Sequence, residues 1–230
     1  MFLLVLYIIG ITAEGMSGAL IAGRHKMDLI GVLFVALVAA IGGGSIRDVL
    51  FNHHPITWIA HPEYILIVCV AALLTTRIPN VVARLEKLFL ALDALGLATF
   101  AVIGAEVARS QELGVILVVS SAVITAVFGG VLRDIFCGIV PLVFRKELYA
   151  GVAIITALIY YGLFLLNCSV ESASIIAVCS GFAIRLLAIR YNLSVPIFSY
   201  EIAHEAESAP HNTKTQNHKQ SNKDDNNTKE

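Results

Sequence analysis

The stretch "GGGSIRDVL", Gly42 to Leu50, decides how this chain is read. It follows thirteen almost wholly apolar residues, "LIGVLFVALVAAI". Each glycine weakens a helix by roughly 1 kcal/mol against alanine. An arginine and an aspartate then stand side by side, where the preceding run carries no charge at all. The pattern recurs 86 residues later as "FGGVLRDIF", Phe128 to Phe136. The same displacement relates Gly10 to Gly96, Gly18 to Gly104, Ala19 to Ala105, Ala22 to Ala108 and Pro55 to Pro141. The doubled G-G-x-x-R-D therefore belongs to an internal duplication and is not a chance match.

Composition sets the solvent. The chain of 230 residues is 57% hydrophobic and 14% charged, against about a quarter charged in soluble domains. Most of it must face hydrocarbon. The net charge of -1 gives no hint of nucleic-acid binding, which would need a basic face, and no nucleic-acid partner is expected. Cys69, Cys137, Cys168 and Cys179 have no paired spacing and read as small packing residues. The start, "MFLLVLYIIG", lacks the basic opening of a cleaved signal peptide and reads as a retained first membrane helix.

A bilayer core of about 30 Å needs about 20 helical residues. Seven apolar blocks fit, near 3–22, 28–50, 63–79, 88–108, 113–136, 148–166 and 172–190. They are apolar on all sides, so a barrel of alternating strands is excluded. The expected fold is all-α: a polytopic membrane protein with seven transmembrane helices. Residues 1–86 form a first three-helix repeat and 87–169 a second, with a seventh helix at 170–192. Residues 193–230 form a polar tail with too little apolar surface to order itself, and its histidines read as solvated. Three spans per repeat is an odd number, so the second copy enters from the opposite face and the repeat is inverted. Alternate joints carry Arg24 and Lys26, then Arg77, Arg84 and Lys87, then Arg145 and Lys146, with Arg190 closing the last helix. That bias places the N-terminus outside and the tail in the cytoplasm.

Irregular backbone survives in lipid only where protein buries it or water reaches it. The glycines thus admit two readings: a helix break lining a cavity, or a close crossing of the small-xxx-small kind. The charges favour a path, because ionised groups at membrane depth normally face a bundle interior or water. Adjacent residues on a helix point about 100° apart. The expectation is therefore that Arg47 pairs across the repeat with Asp134, and Arg133 with Asp48. Such pairs either lock two broken helices or form a charged constriction. Gly42, Gly43, Gly44, Ser45, Arg47 and Asp48 make one half of the candidate site, and Gly129, Gly130, Arg133 and Asp134 the other. Glu14 and Thr125 are secondary candidates for lining the path. Asp93 is expected to cap a helix end or meet an arginine, and Glu106 is a weaker signal. Ser45, Ser121 and Thr125 could supply hydroxyl oxygens, although serine and threonine in membrane helices usually bond their own backbone. His53 and His54 read as interfacial. No nucleophile stands beside a base and no phosphate loop is present, so the chain does not read as an enzyme, and no cofactor or resident metal is expected.

With these residues in view, the chain resembles the prokaryotic trimeric intracellular cation (TRIC) channels. That family overlaps the UPF0126 bacterial membrane proteins, which also carry a glycine-transporter label. The resemblance covers about residues 1–190. It implies a homotrimer in the lipid bilayer of a prokaryotic plasma (inner) membrane. It implies potassium and sodium permeation through a pore in each protomer, with kinked helices two and five meeting at the glycine motifs. Phe128 replaces the first glycine of the triplet and breaks the symmetry of the two halves. The alternative is a secondary transporter of a small zwitterion such as glycine, since inverted repeats and broken midplane helices serve transporters too. A scaffold without a pore is a third reading.

Overall fold

The computed structural model describes residues 2–77, 85–145 and 148–191. Nine helices occur among them: α1 (Phe2–Arg24), α2 (Leu29–Leu50), α3 (Thr57–Ala60), α4 (Glu63–Thr76), α5 (Leu85–Ser110), α6 (Val115–Phe136), α7 (Leu142–Arg145), α8 (Leu148–Leu165) and α9 (Val170–Arg190). The expected tail at 193–230 lies outside the described residues, as does the end of the span expected at 63–79.

Six helices are long and apolar enough to cross a membrane: α1, α2, α5, α6, α8 and α9. The chain is thus a multi-pass membrane protein. With 14 described residues, α4 is about 21 Å long, short of a full hydrocarbon core. Large apolar side chains cover the outside. Ile30 and Ile116, 86 residues apart, are 76% and 78% exposed. Exposure on that scale suits lipid and not water.

Local chemistry sets the helix ends. Asp28 caps α2 by accepting from the Gly31 amide at 2.7 Å, and Ser169 caps α9 by accepting from Ser172. Left-handed residues close the helices at matching positions. Lys26 (φ 56°) and Glu112 (φ 58°) follow α1 and α5; Asn52 (φ 51°) and Gly138 (φ 68°) follow α2 and α6. Each αL turn carries the same capping bond. The Met27 amide donates to Ala22 and Leu113 to Ala108, both at 3.2 Å; His53 donates to Asp48 at 2.8 Å and Ile139 to Asp134 at 3.0 Å. Every one of these pairs is separated by 86 residues. So are the bounds of α2 and α6.

The most buried spans are α1 and α5. They pack on each other, α1 also against α2 and α4, and α5 also against α6, α8 and α9. Helix α8 packs against α9 and α6, and the extensive contact of α2 with α6 brings the two glycine motifs together.

Candidate functional site

The glycines do not break their helices. Helix α2 runs unbroken through Gly42, Gly43 and Gly44, and α6 through Gly129 and Gly130. The sequence expectation of broken helices is corrected on this point. The physical reason is packing. A β-carbon at Gly43 would run into the Thr125 carbonyl oxygen, and one at Gly129 into that of Ala39. The two helices meet backbone to backbone, and Gly43 and Gly129 face each other: the same Gly43 β-carbon would stand 3.1 Å from the Gly129 amide nitrogen. Ala39 and Gly43 on one helix, Thr125 and Gly129 on the other, are small residues at spacings of four. This is the small-xxx-small crossing that sequence left as the other reading.

The neighbouring glycines do different work. A side chain at Gly42 would strike Leu132 at 2.8 Å. Gly44 and Gly130 stand three residues before the arginines, where a helical side chain leans back toward the N-terminus. A β-carbon there would lie 3.9 Å from Arg47 Nη2 and 3.5 Å from Arg133 Nη2. Those are ordinary contact distances, so the guanidiniums alone do not require glycine there; at Gly130 the tighter neighbour is the Tyr149 hydroxyl, 3.2 Å from where a β-carbon would stand. Phe128, the residue that breaks the symmetry, is 38% exposed.

The ion pairs also differ from expectation. Arg47 pairs with its neighbour Asp48, Nε to Oδ1 at 2.8 Å and Nη2 to Oδ1 at 2.6 Å. Arg133 pairs with Asp134, Nε to Oδ1 at 2.8 Å. The cross-repeat pairs Arg47 with Asp134 and Arg133 with Asp48 do not form. The 100° offset applies to β-carbons, and the long arginine chain swings its fork through that angle. Each aspartate is fixed from its other side by the returning loop. Asp48 accepts from the Thr57 amide and hydroxyl, both at 2.8 Å. Asp134 accepts from the Leu142 amide at 2.9 Å. Those amides open α3 and α7, so each carboxylate satisfies a donor that the short helix leaves unpaired. All four charged residues are at most 1% exposed, where removing one partner is costly.

Beyond this shared core the two halves diverge. Around Arg47, Ser45 accepts from Trp58 Nε1 at 3.0 Å and donates to the Ile41 carbonyl at 2.7 Å. Interfacial His53, 38% exposed, sits with Nδ1 3.1 Å from Asp48 Oδ1. Around Arg133, Nη1 donates to Asp93 at 2.9 Å and to Ser17 at 2.7 Å, and lies 3.6 Å from Glu14. Tyr149 donates to the same Asp93 oxygen at 3.0 Å. Phe89 stacks on Arg133 with 4.9 Å from Cζ to the ring centroid, and Arg185 lies 4.5 Å from the Tyr149 ring centroid.

Of the secondary candidates, Glu14 joins the Arg133 cluster. Thr125 bonds back to the Ser121 carbonyl at 2.7 Å, as expected, while Ser121 crosses to the Gly104 carbonyl on α5 at 2.6 Å. Asp93 meets an arginine, one of its two expected roles, from within α5 and not from its end. Glu106 stands apart, holding Arg109 through two bonds of 2.5 and 2.6 Å and accepting from Tyr160. Thr57, Trp58, Ser17 and Tyr149 carry no sequence signal that separates them from ordinary membrane-helix and loop residues.

Fold and site together define a multi-pass helical membrane protein whose spans converge on duplicated, buried Arg–Asp pairs flanking a glycine crossing. The family model described as "Glycine transporter" matches residues 4–79 and 90–164. The UPF0126 inner membrane protein YadS of Escherichia coli K12 is 36% identical over 84% of this chain and 95% of its own length. A UPF0126 membrane protein of Vibrio cholerae is 37% identical over 83% and 80%. The chain belongs to this UPF0126 family. Among solved structures it is similar to the TRIC trimeric intracellular cation channel orthologue of Rhodobacter sphaeroides, with TM-score 0.79 and 31% identity over 83% of this chain and 98% of that one. A second TRIC cation-channel structure matches at TM-score 0.78 and 36% identity, covering 86% and 98%.

Proposed function

We propose that this protein is a monovalent-cation channel, conducting K+ and Na+ along a path within each protomer of a homotrimer. The path runs where α2 and α6 cross. Gly42, Gly43, Gly44, Ser45, Arg47 and Asp48 form one half of its constriction, and Gly129, Gly130, Arg133 and Asp134 the other, with Thr125 and Glu14 beside it. The observation that carries this is the placement of two buried Arg–Asp pairs at a Gly–Gly contact inside otherwise apolar spans. Charge at that depth marks ion pathways. The likeness to TRIC cation channels over nearly their whole length supports it.

With α2 and α6 touching at Gly43 and Gly129, conduction requires the helices to part. Glycine-rich segments bend at low cost. The Arg–Asp pairs hold the segment beyond the glycines to its loop, so bending is confined to the glycines. The 86-residue offset in caps, turns and helix bounds supports an inverted repeat of three spans each, with α4 as the third span and α9 outside the symmetry. The N-terminus lies outside and the C-terminal tail in the cytoplasm, in a prokaryotic inner membrane.

The second reading, a transporter of a small zwitterion such as glycine, is favoured by the description of the matching family model. Sealed proteoliposomes separate the two. A channel produces a diffusion potential from a potassium gradient alone, reported by a voltage-sensitive dye. Saturable uptake of labelled glycine with no such potential contradicts the channel.

A further inference from the structure

The two halves of the fold differ in what covers their first and third spans. Helix α1 corresponds to α5 through the 86-residue offset. Beyond the loops the offset falls to 85: α3 and α7 begin and end 85 residues apart, and the amides that reach Asp48 and Asp134 belong to Thr57 and Leu142. The same step relates α4 to α8, and the buried Tyr64 to the buried Tyr149. In the second half, α9 packs on both α5 and α8. Its contact with α8 is close, since a β-carbon at Gly181 would strike the Thr156 side chain. In the first half α2, the counterpart of α6, packs on both α1 and α4. No described helix packs on that pair as α9 does on the other.

The uncovered side is a groove of about 420 Å³ between α1 and α4. Half-buried Thr12, Met16 and Ile67 line it together with Ala71. Their counterparts Ala98, Val102, Val152 and Thr156 are each 0% exposed. Val70 and Leu74 also line the groove and are 54% and 61% exposed. Thr12 is the one polar residue along it, and no charged residue lines it. The groove and the buried state of its counterparts share one explanation. The fold builds a seat for a helix twice, and its own α9 fills one of the two.

We propose that the groove between α1 and α4 seats a membrane-spanning helix of a second copy of this chain. The contact presupposes the homotrimer proposed for this protein and assigns the surface that holds it. Lipid tails are as apolar as leucine, so an apolar wall alone does not draw a helix out of lipid; close packing does. Here the small Ala71 stands where Thr156 receives α9 in the other half. A groove on one copy that takes a different face of the next is a heterologous contact. Such contacts close into a ring when the rotation between copies allows it. Because each protomer carries its own path at the α2–α6 crossing, this contact can fail while the channel reading stands.

The test places the photoreactive residue p-benzoylphenylalanine at position 70 of the full-length protein and illuminates intact membranes. Val70 is exposed, so the larger side chain leaves its own fold in place. A copy seated in the groove is captured covalently, and a denaturing gel then shows a ladder of two and three chains. Native mass spectrometry of the purified protein supplies the second readout. The wild type is expected to be a trimer, and Val70→Trp and Leu74→Trp, which fill the groove, to fall to monomers at the same concentration. If the tryptophan variants do not fold, the photocapture decides alone. Capture of lipid only, or of a different protein, overturns the proposal. So does a trimer that persists unchanged in both tryptophan variants. A wild type that is trimeric while position 70 captures no second copy overturns this contact and leaves the homotrimer standing; a monomeric wild type overturns both.

Discussion

Gly43→Ala and Gly129→Ala test the glycine crossing against a control inside the same protein. A methyl at either position collides with a carbonyl oxygen of the facing helix, Thr125 or Ala39. Backbone cannot rotate aside as a side chain does, so α2 and α6 must separate by about an ångström. Overpacking of this kind costs about 1–3 kcal/mol. Replacing glycine by alanine in a helix returns about 1 kcal/mol. The net effect is a loss of about 0–2 kcal/mol. Gly162, inside α8, has nothing within 4 Å of where its β-carbon would stand. Gly162→Ala therefore keeps the propensity gain without the collision. The two kinds of variant are predicted to differ by about 1–3 kcal/mol, or roughly 3–10 °C in melting temperature for a chain of this length. The assay is thermal unfolding of the purified variants in one detergent, followed by intrinsic fluorescence or by exposure of the buried Cys137. If Gly43→Ala and Gly129→Ala melt together with Gly162→Ala, the helices do not touch at these glycines, and the crossing described here is refuted.

Two further predictions follow from the unequal surroundings of the arginines. Asp48→Asn is expected to melt below Asp134→Asn, because Arg133 keeps Asp93 and Glu14 as acidic partners whereas Arg47 has no second carboxylate among the described residues. Losing one partner of a buried pair costs about 3–5 kcal/mol, and the reverse order of melting temperatures counts against the asymmetry. Thr57→Val removes the hydroxyl bond to Asp48 and the bond of 3.3 Å that the hydroxyl accepts from Arg47 Nη2, but leaves the amide bond to Asp48. It is expected to cost about 0.5–1.5 kcal/mol and to speed hydrogen exchange at the α3 amides without changing exchange in α6. Unchanged exchange at α3 means that the bond does not hold the loop.

Much of the fold was legible because hydrocarbon enforces it. The bounds of α2 and α6 follow from apolar length, polar joints and the doubled glycine motif, and the cap at Asp28 sits where the sequence turns from polar to apolar. The site was legible in its membership more than in its geometry. Arg47, Asp48, Arg133 and Asp134 were identifiable because charge inside an apolar run is costly. Their partners were misjudged because side-chain reach does not show on a helical wheel. The glycines were misjudged because helix propensity is a local quantity, whereas the facing Ala39 and Thr125 carbonyls, which explain them, lie on other parts of the chain. Ser17 and Arg133 are 116 residues apart, and nothing local marks Ser17 as a partner. Glu14 and Asp93 drew notice as buried acids. Their convergence on one arginine becomes visible only once α1, α5 and α6 are packed.

Single-channel recording bears most directly on the central claim. The purified protein is inserted into a planar bilayer separating unequal potassium chloride solutions. The account predicts unitary currents that reverse near the potassium equilibrium potential and that diminish or vanish in Gly43→Leu and Gly129→Leu. Silent bilayers, with insertion shown independently, contradict a conducting path. Wild-type currents that persist unchanged in both leucine variants contradict its placement at the crossing of α2 and α6.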